Sequence, residues 1–397
     1  MDPKDDSLKK IGKGAMYVFL GIMFSKFIGY LYKFIIARLG TEQYGILSLG
    51  LMIYSIFNII ILFGLDYGIT RFSAYYLGNS NKSEVKSLIK YVVSVIFVSS
   101  LIGAILLFLL SEIIAINLFN TPELVIVLKI LAIALPFECL RSIFLGVIKG
   151  FHNLKYEFYA RYVVEGILKK ILLYVLIALG WGIFGATLAY LGSIVISFLF
   201  SVFFFSKIFS FFKEKSSSIN FAEVLDYSWP LMFNTLLGLA TVSIDSFFIG
   251  YFRTVSEVGI YNAVAPIARL TYIIPFSLSA LLVPILVGLY AKKDDKSFYS
   301  VYNILNGWVF KFNLPLFIFI LFFPKELLFV LFGEDYVTGY IGLIILASGF
   351  FIMYSFYVSR EVLLALKKSR AVFYYSLLGV VLNIILAYLL VPAYGIV

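Results

Sequence analysis

Apolar runs of about twenty residues or more recur along almost the whole chain, and they leave few choices of architecture. A run of that length crosses the hydrocarbon core of a bilayer as an α-helix. The runs are too long for strands and do not alternate apolar with polar, which excludes a sheet. Eleven spans are expected, over residues 14–38, 44–72, 87–110, 122–148, 157–179, 183–205, 224–250, 258–290, 298–323, 338–365 and 371–391. The spans 44–72 and 258–290 exceed the bilayer thickness, so they are expected to continue as helix beyond the lipid or to tilt. With 62% hydrophobic and 14% charged residues, the chain reads as an all-α integral membrane protein.

A second constraint is an internal repeat. The turn Leu39-Gly40-Thr41-Glu42-Gln43-Tyr44-Gly45, between the first two spans, recurs 214 residues later within Tyr251-Phe252-Arg253-Thr254-Val255-Ser256-Glu257-Val258-Gly259-Ile260-Tyr261. Residues 34–83 laid over 248–297 without a gap match Phe34 with Phe248, Gly45 with Gly259, Ile46 with Ile260, Tyr76 with Tyr290 and Lys82 with Lys296. So long a period means two homologous halves, a common plan of transporters. The longest polar connection, Ser206–Asn220, separates them. Residues 1–205 are expected to form one lobe, 206–220 a cytoplasmic linker and 221–397 the second lobe. Trp181-Gly182-Ile183 precedes the sixth span, and Tyr394-Gly395-Ile396 stands in the matching place. By the repeat, a twelfth span is expected beyond Val397; the alternative is an eleven-helix chain with its C-terminus outside.

The net charge of +10 sits mostly in short loops. Alternate loops carry eighteen Lys and Arg against three (Arg38, Arg253 and Lys325), which places the N-terminus in the cytoplasm. This distribution argues against nucleic acid as a partner. The single cysteine, Cys139, excludes an internal disulfide, and the single histidine, His152, argues against a histidine metal site. No cofactor is expected. The chain has no Gly-rich phosphate loop followed by Lys-Ser/Thr, and its Ser, Cys and His residues form no catalytic set.

Four short pieces, in order and spacing, carry a resemblance: the turn at Leu39–Gly45, Ile244-Asp245-Ser246-Phe247-Phe248-Ile249-Gly250, Val258-Gly259-Ile260-Tyr261, and Val391-Pro392-Ala393-Tyr394-Gly395-Ile396. In these the chain resembles the polysaccharide-export branch of the multidrug/oligosaccharidyl-lipid/polysaccharide flippase superfamily. The resemblance implies two six-helix lobes around a central cavity that opens alternately to the two sides. It also implies movement of a lipid-linked oligosaccharide, of the polyprenyl diphosphate type, from the cytoplasmic to the outer leaflet. Membrane lipids and glycan-assembly enzymes are the other expected partners.

Charge at bilayer depth is costly unless it faces a bundle interior, water or a partner, so mid-span charges are the candidates. Lys26 lies near the middle of the first span, with Lys33 seven residues on. It either lines a cationic wall or pairs with an acid elsewhere. Arg161, Glu165 and Lys169 recur at spacing four with Lys170 beside them; Glu165 and Lys169 can pair directly, and positive charge remains in excess. Arg269 stands near Pro266 in the eighth span, and Lys311 near Pro315 in the ninth. Lys26, Arg161, Lys169, Lys170, Arg269 and Lys311 are therefore the candidate substrate-binding residues. Asp66, Arg71, Glu165 and Asp245 are candidates for coupling or gating, although Asp66 with Arg71 also reads as a surface pair. Glu138 and Arg141, three apart, are expected to neutralise each other.

The leading reading is a flippase. The alternative is a cation-coupled exporter of drugs or metabolites, which would call for acids at mid-span. Here Lys26, Lys169, Lys170, Arg269 and Lys311 outnumber Glu138 and Glu165, so an anionic substrate is favoured. A membrane glycosyltransferase would need a larger loop than the chain has.

Overall fold

The computed structural model describes residue 29 and residues 32–211, 214–273, 275–276, 286–366 and 368–396. Among these the chain is helical, with turns and no strand. In order, the helices are α1 (Thr41–Leu62), α2 (Leu65–Gly78), α3 (Lys82–Glu112) and α4 (Leu124–Gly150). The short α5 (Leu154–Glu157) runs into a π-helical stretch, Phe158–Glu165, then α6 (Gly166–Ala178), α7 (Gly182–Ile208) and α8 (Phe221–Phe252). Then come α9 (Val255–Ala268), a 3₁₀ turn at Arg269–Tyr272, α10 (Asp295–Phe322), α11 (Pro324–Leu331), a 3₁₀ stretch at Glu334–Gly339, α12 (Tyr340–Ser355), α13 (Tyr357–Ala365) and α14 (Ser369–Tyr394); a second π-helical stretch, Ile113–Leu118, continues α3. Seven helical stretches among the described residues are long and apolar enough to cross a membrane. The protein is a multi-pass membrane protein.

Contacts divide the chain into two units, one of residues 1–39 and 46–240, the other of 40–45 and 241–397. The first is organised on α4, which packs against α2, α3 and α7 and is buried along most of its length. Size, more than apolarity, explains how. On α7, Gly185, Ala189, Ser193, Ser197 and Ser201 stand four apart and are all buried. In lipid, where neighbouring helices gain little from hydrophobicity, such a stripe of small residues lets backbones approach closely. Gly146 and Gly150 do the same on α4. A Cβ on Gly146 would stand 2.9 Å from the carbonyl oxygen of Asp66, and one on Gly150 would stand 2.8 Å from that of Thr70, both on α2.

The expected span 44–72 is not one helix. It breaks between α1 and α2, where Phe63 and Gly64 both take left-handed backbone angles (φ 50° and 74°). Any side chain at Gly64 would collide with the carbonyl of Ser228, 2.2 Å from the Cβ position. The expected span 157–179 likewise divides into the π-helical stretch and α6, and 338–365 divides at Phe356. A run of apolar residues does not reveal such interruptions, because tertiary contact decides them.

The second unit keeps the repeat in its packing. The first turn of α1 lies against the first turn of α9. A Cβ on Gly45 would stand 1.9 Å from the carbonyl oxygen of Val255, and one on Gly259 would stand 1.9 Å from that of Thr41. Gly45 and Gly259 are repeat equivalents, and so are Thr41 and Val255. The two contacts are therefore images of each other. Thr41 Oγ1 and Ser256 Oγ share a hydrogen bond of 2.6 Å at the same crossing.

Candidate functional site

The first unit holds most of the buried charge. Arg141 of α4, only 4% exposed, is its hub. Through Nη2 it donates to both oxygens of Glu138, at 2.6 and 2.8 Å, one turn back on the same helix. Through Nη1 it donates to Glu165, at the end of the π-helical stretch, and to Ser197 Oγ at 3.3 Å. Ser197 donates in turn to the carbonyl oxygen of Ala160 at 2.8 Å, which ties α7 to the π-helical stretch. Glu165 also accepts from Lys169 Nζ at 2.9 Å. The ammonium of Lys169 lies 4.2 Å from the centre of the Tyr190 ring and 5.7 Å from that of Tyr32. A buried charge survives in the membrane only with partners of this kind.

These groups open onto a cavity of about 340 Å³ whose wall includes Glu138, Arg141, Arg161, Glu165, Lys169 and Lys170. Four cations thus face two carboxylates. Arg141 is shared between both carboxylates and Lys169 joins Glu165. Arg161 makes no ion pair among the described residues, and Lys170 donates to the carbonyl oxygen of Gly166 at 2.7 Å. The surplus of positive charge therefore resides chiefly on Arg161 and Lys170.

Arg161 also lines a second cavity of about 360 Å³, together with Asp66, Arg71, Lys149, Glu157 and Tyr227. Lys149 and Glu157 pair across it at 2.9 Å. Arg71 lies over the Tyr227 ring, 4.1 Å from its centre, and forms no ion pair with Asp66. Both cavities belong to the first unit, and Arg161 stands on the wall of each.

The structure thus brings together Arg161, Glu165, Lys169 and Lys170 on one cavity, and Asp66, Arg71 and Arg161 on another. The spacing-four reading of Arg161, Glu165 and Lys169 holds for the pair Glu165–Lys169. It does not bring Arg161 onto Glu165, because the stretch up to Glu165 is wound as a π-helix with more residues per turn. The mutual neutralisation of Glu138 and Arg141 is present, but it is half of the arrangement. The link from Arg141 to Glu165 crosses between helices, and spacing within one helix carries no signal for it. Tyr190 and Tyr32 beside Lys169 carry no signal of their own among the 29 tyrosines of the chain.

The other candidates lie apart. Lys26 lies outside the described residues. In the second unit Arg269 stands where α9 gives way to the 3₁₀ turn. Its guanidinium donates to the carbonyl oxygen of Val242 at 3.2 Å and lies 5.6 Å from the centre of the Phe350 ring. Asp245 accepts from the Tyr261 hydroxyl at 2.5 Å, and Asn262 donates to Ser246 Oγ at 3.0 Å beside it. Lys311 is exposed on α10 beside Phe310, Leu314 and Ile318, an apolar face from which a long side chain can extend its ammonium toward water.

A family model described as polysaccharide biosynthesis protein matches residues 11–290, and a model described as MatE matches residues 230–389. An uncharacterized membrane protein of Methanocaldococcus jannaschii is 28% identical over 401 residues, covering 97% of this chain and 92% of the relative. Among solved structures, the chain is similar to the lipid II flippase MurJ in an inward closed conformation. That match has 17% identity and a TM-score of 0.71, and it covers 96% of this chain and 82% of that one. It is also similar to an inward-facing multidrug resistance MATE family transporter of the MOP superfamily. Here identity is 16% and the TM-score 0.65, with 96% of each chain covered. These likenesses show the fold, two lobes of six helices in those proteins.

Proposed function

Because the chain belongs to the polysaccharide biosynthesis protein family, and with it to the transporters and flippases of the MOP superfamily, we propose that it flips a lipid-linked oligosaccharide. The direction would be from the cytoplasmic to the outer leaflet, with the N-terminus in the cytoplasm as the lysine distribution favours. One observation carries the reading: the charged cavity of the first unit holds four cations and two carboxylates. Such a site attracts an anionic diphosphate and repels an organic cation. At about 340 Å³ it lies at the small end of ligand pockets. That is room for a diphosphate and not for a glycan, so the sugar chain would lie outside it.

Arg161 and Lys170 are the groups for first contact, since neither is bound to a carboxylate among the described residues. Charge-assisted hydrogen bonds from a guanidinium to phosphate oxygens are short, strong and often bidentate. Lys169 is held by Glu165 and would turn to the phosphate once it arrives. Glu165 would then lose one of its two cationic partners while keeping Arg141. That change of partner is the proposed coupling event. Asp66 and Arg71 on the second cavity, and Asp245 in the second unit, are proposed to act in gating. Arg269 and Lys311 are proposed to meet the substrate later in the cycle.

The test is flipping of a fluorescent lipid-diphosphate oligosaccharide in liposomes containing the purified protein, beside empty liposomes. Protein-dependent flipping is expected. Its absence, together with uptake of an organic cation driven by a Na⁺ or H⁺ gradient, would replace this reading with the exporter.

A further inference from the structure

A third cavity in the first unit has no part in the charged site. It has a volume of about 480 Å³ and lies at the lysine-rich end of α3 and α7. Its apolar wall is made by Ile89 and Val93 of α3, Phe144 of α4, Val202 and Phe205 of α7, and Phe209 just beyond α7. Its polar lining is Lys90, Ser94, Ser206 and Ser210. Lys90 is exposed and makes no ion pair among the described residues.

The cavity is built, because the segment closing it is tied down. Phe209 leaves the helix in an extended conformation and packs against Phe205 and Phe151. Farther along, Lys86 Nζ donates to the carbonyl oxygen of Glu214 at 2.6 Å. Ser87 Oγ donates to the carbonyl oxygen of Ser217 at 2.6 Å and accepts from the Ser217 N–H at 2.9 Å. The ammonium of Lys86 also lies 5.3 Å from the centre of the Phe211 ring. Lys82 begins α3 and Lys207 stands in the last turn of α7, at the same end of the two helices.

We propose that this cavity holds a hydrocarbon chain of a resident anionic membrane lipid, with the lipid phosphate on Lys90. An apolar recess ending in a lysine and three hydroxyls matches an amphiphile whose head is negative. A basic pocket between membrane helices is a recognised setting for anionic head groups. The lipid would fasten the linker between the two halves to α3 and α7.

The experiment is native mass spectrometry of the purified full chain with phosphatidylglycerol or phosphatidylcholine at equal concentration. One phosphatidylglycerol is expected to be retained in preference. Lys90→Gln should lower that preference by roughly fivefold, the effect of one surface lysine on an anionic lipid, and leave phosphatidylcholine unchanged. Val202→Trp, which fills the apolar part, should lower retention of both lipids. Equal retention of the two lipids by the unaltered protein, or a preference that survives Lys90→Gln, would overturn the proposal. So would displacement of phosphatidylglycerol by a polyprenyl phosphate at lower concentration, since the site would then belong to the tail of the transported lipid.

Discussion

The two repeated halves agree in their backbones and differ in their charges. At the helix crossing, Gly45 and Gly259 meet each other's partner carbonyls at the same 1.9 Å Cβ distance. At the start of α3 and α10, Asn81 and Asp294 stand 213 residues apart. Each accepts from the backbone N–H three residues on, at 3.4 and 3.1 Å. The ion cluster has no such echo. At the offset of 213 that pairs Gly182 with Gly395, Arg161, Glu165 and Lys169 fall on Tyr374, Leu378 and Leu382. These three are 65%, 56% and 48% exposed on α14. Turns, caps and close crossings follow from the shared fold. A buried charged cavity is an addition to one half, maintained at a desolvation cost that packing does not require.

If that division holds, the halves should answer differently to substitution. The largest effect is expected from Arg141→Ala. It leaves Glu138 and Glu165 buried without their common partner, at a cost of about 3–5 kcal/mol. It should appear as a marked loss of folded yield and a lowered Tm. Leu378→Ala, at the matching place for Glu165, should stay within about 0.5 kcal/mol, as expected of an exposed position. Comparable losses from both would erase the contrast.

Next come Gly45→Ala and Gly259→Ala. Each adds a methyl where a carbonyl oxygen already stands, and overpacking of this kind costs about 1–3 kcal/mol. Because the two contacts form one crossing, the pair of substitutions should cost less than the sum of the two, read from Tm values in a double-mutant cycle. Full additivity would mean that the contacts are independent.

The smallest effect separates the caps. Hydrogen bonds from the Ser297 hydroxyl and N–H hold the Asp294 carboxyl below the ordinary aspartate range. A depressed carboxylate stabilises the fold above its unfolded pKa and loses that contribution as pH falls through the folded value. Asp294→Ala should therefore lower Tm slightly at neutral pH, and the difference should close on acidification. Asn81→Ala should show a deficit that does not change with pH. An Asp294→Ala deficit equally insensitive to pH would contradict the assignment.

Much of the fold was legible in the sequence, because a membrane helix announces itself by length and apolarity. The repeat was legible for the same reason that Gly45 and Gly259 cannot vary freely, since a turn that packs against backbone tolerates few residues. The breaks were not legible. Phe63–Gly64 leaves the helix under contact with Ser228, and nothing local demands it. In the site, Glu165–Lys169 could be read because both lie on one helical face. Arg141–Glu165 could not, because it joins residues from separate elements. The stripe from Gly185 to Ser201 was in plain view, but hydropathy measures how apolar a residue is and not how small.

On the proposed function, surplus positive charge in the first unit acts on the substrate and not on the fold. The most direct measurement is the flipping rate of a lipid-diphosphate oligosaccharide by the Arg161→Gln, Lys170→Gln double variant, compared with the unaltered protein and with Tyr374→Phe. The double variant should flip at least about tenfold more slowly, the loss expected when charge-assisted contacts to a phosphate are removed. Folded yield should be unchanged, and Tyr374→Phe should flip at the unaltered rate. A double variant that flips normally, or one that loses folded yield in step with activity, would contradict this role of the charge.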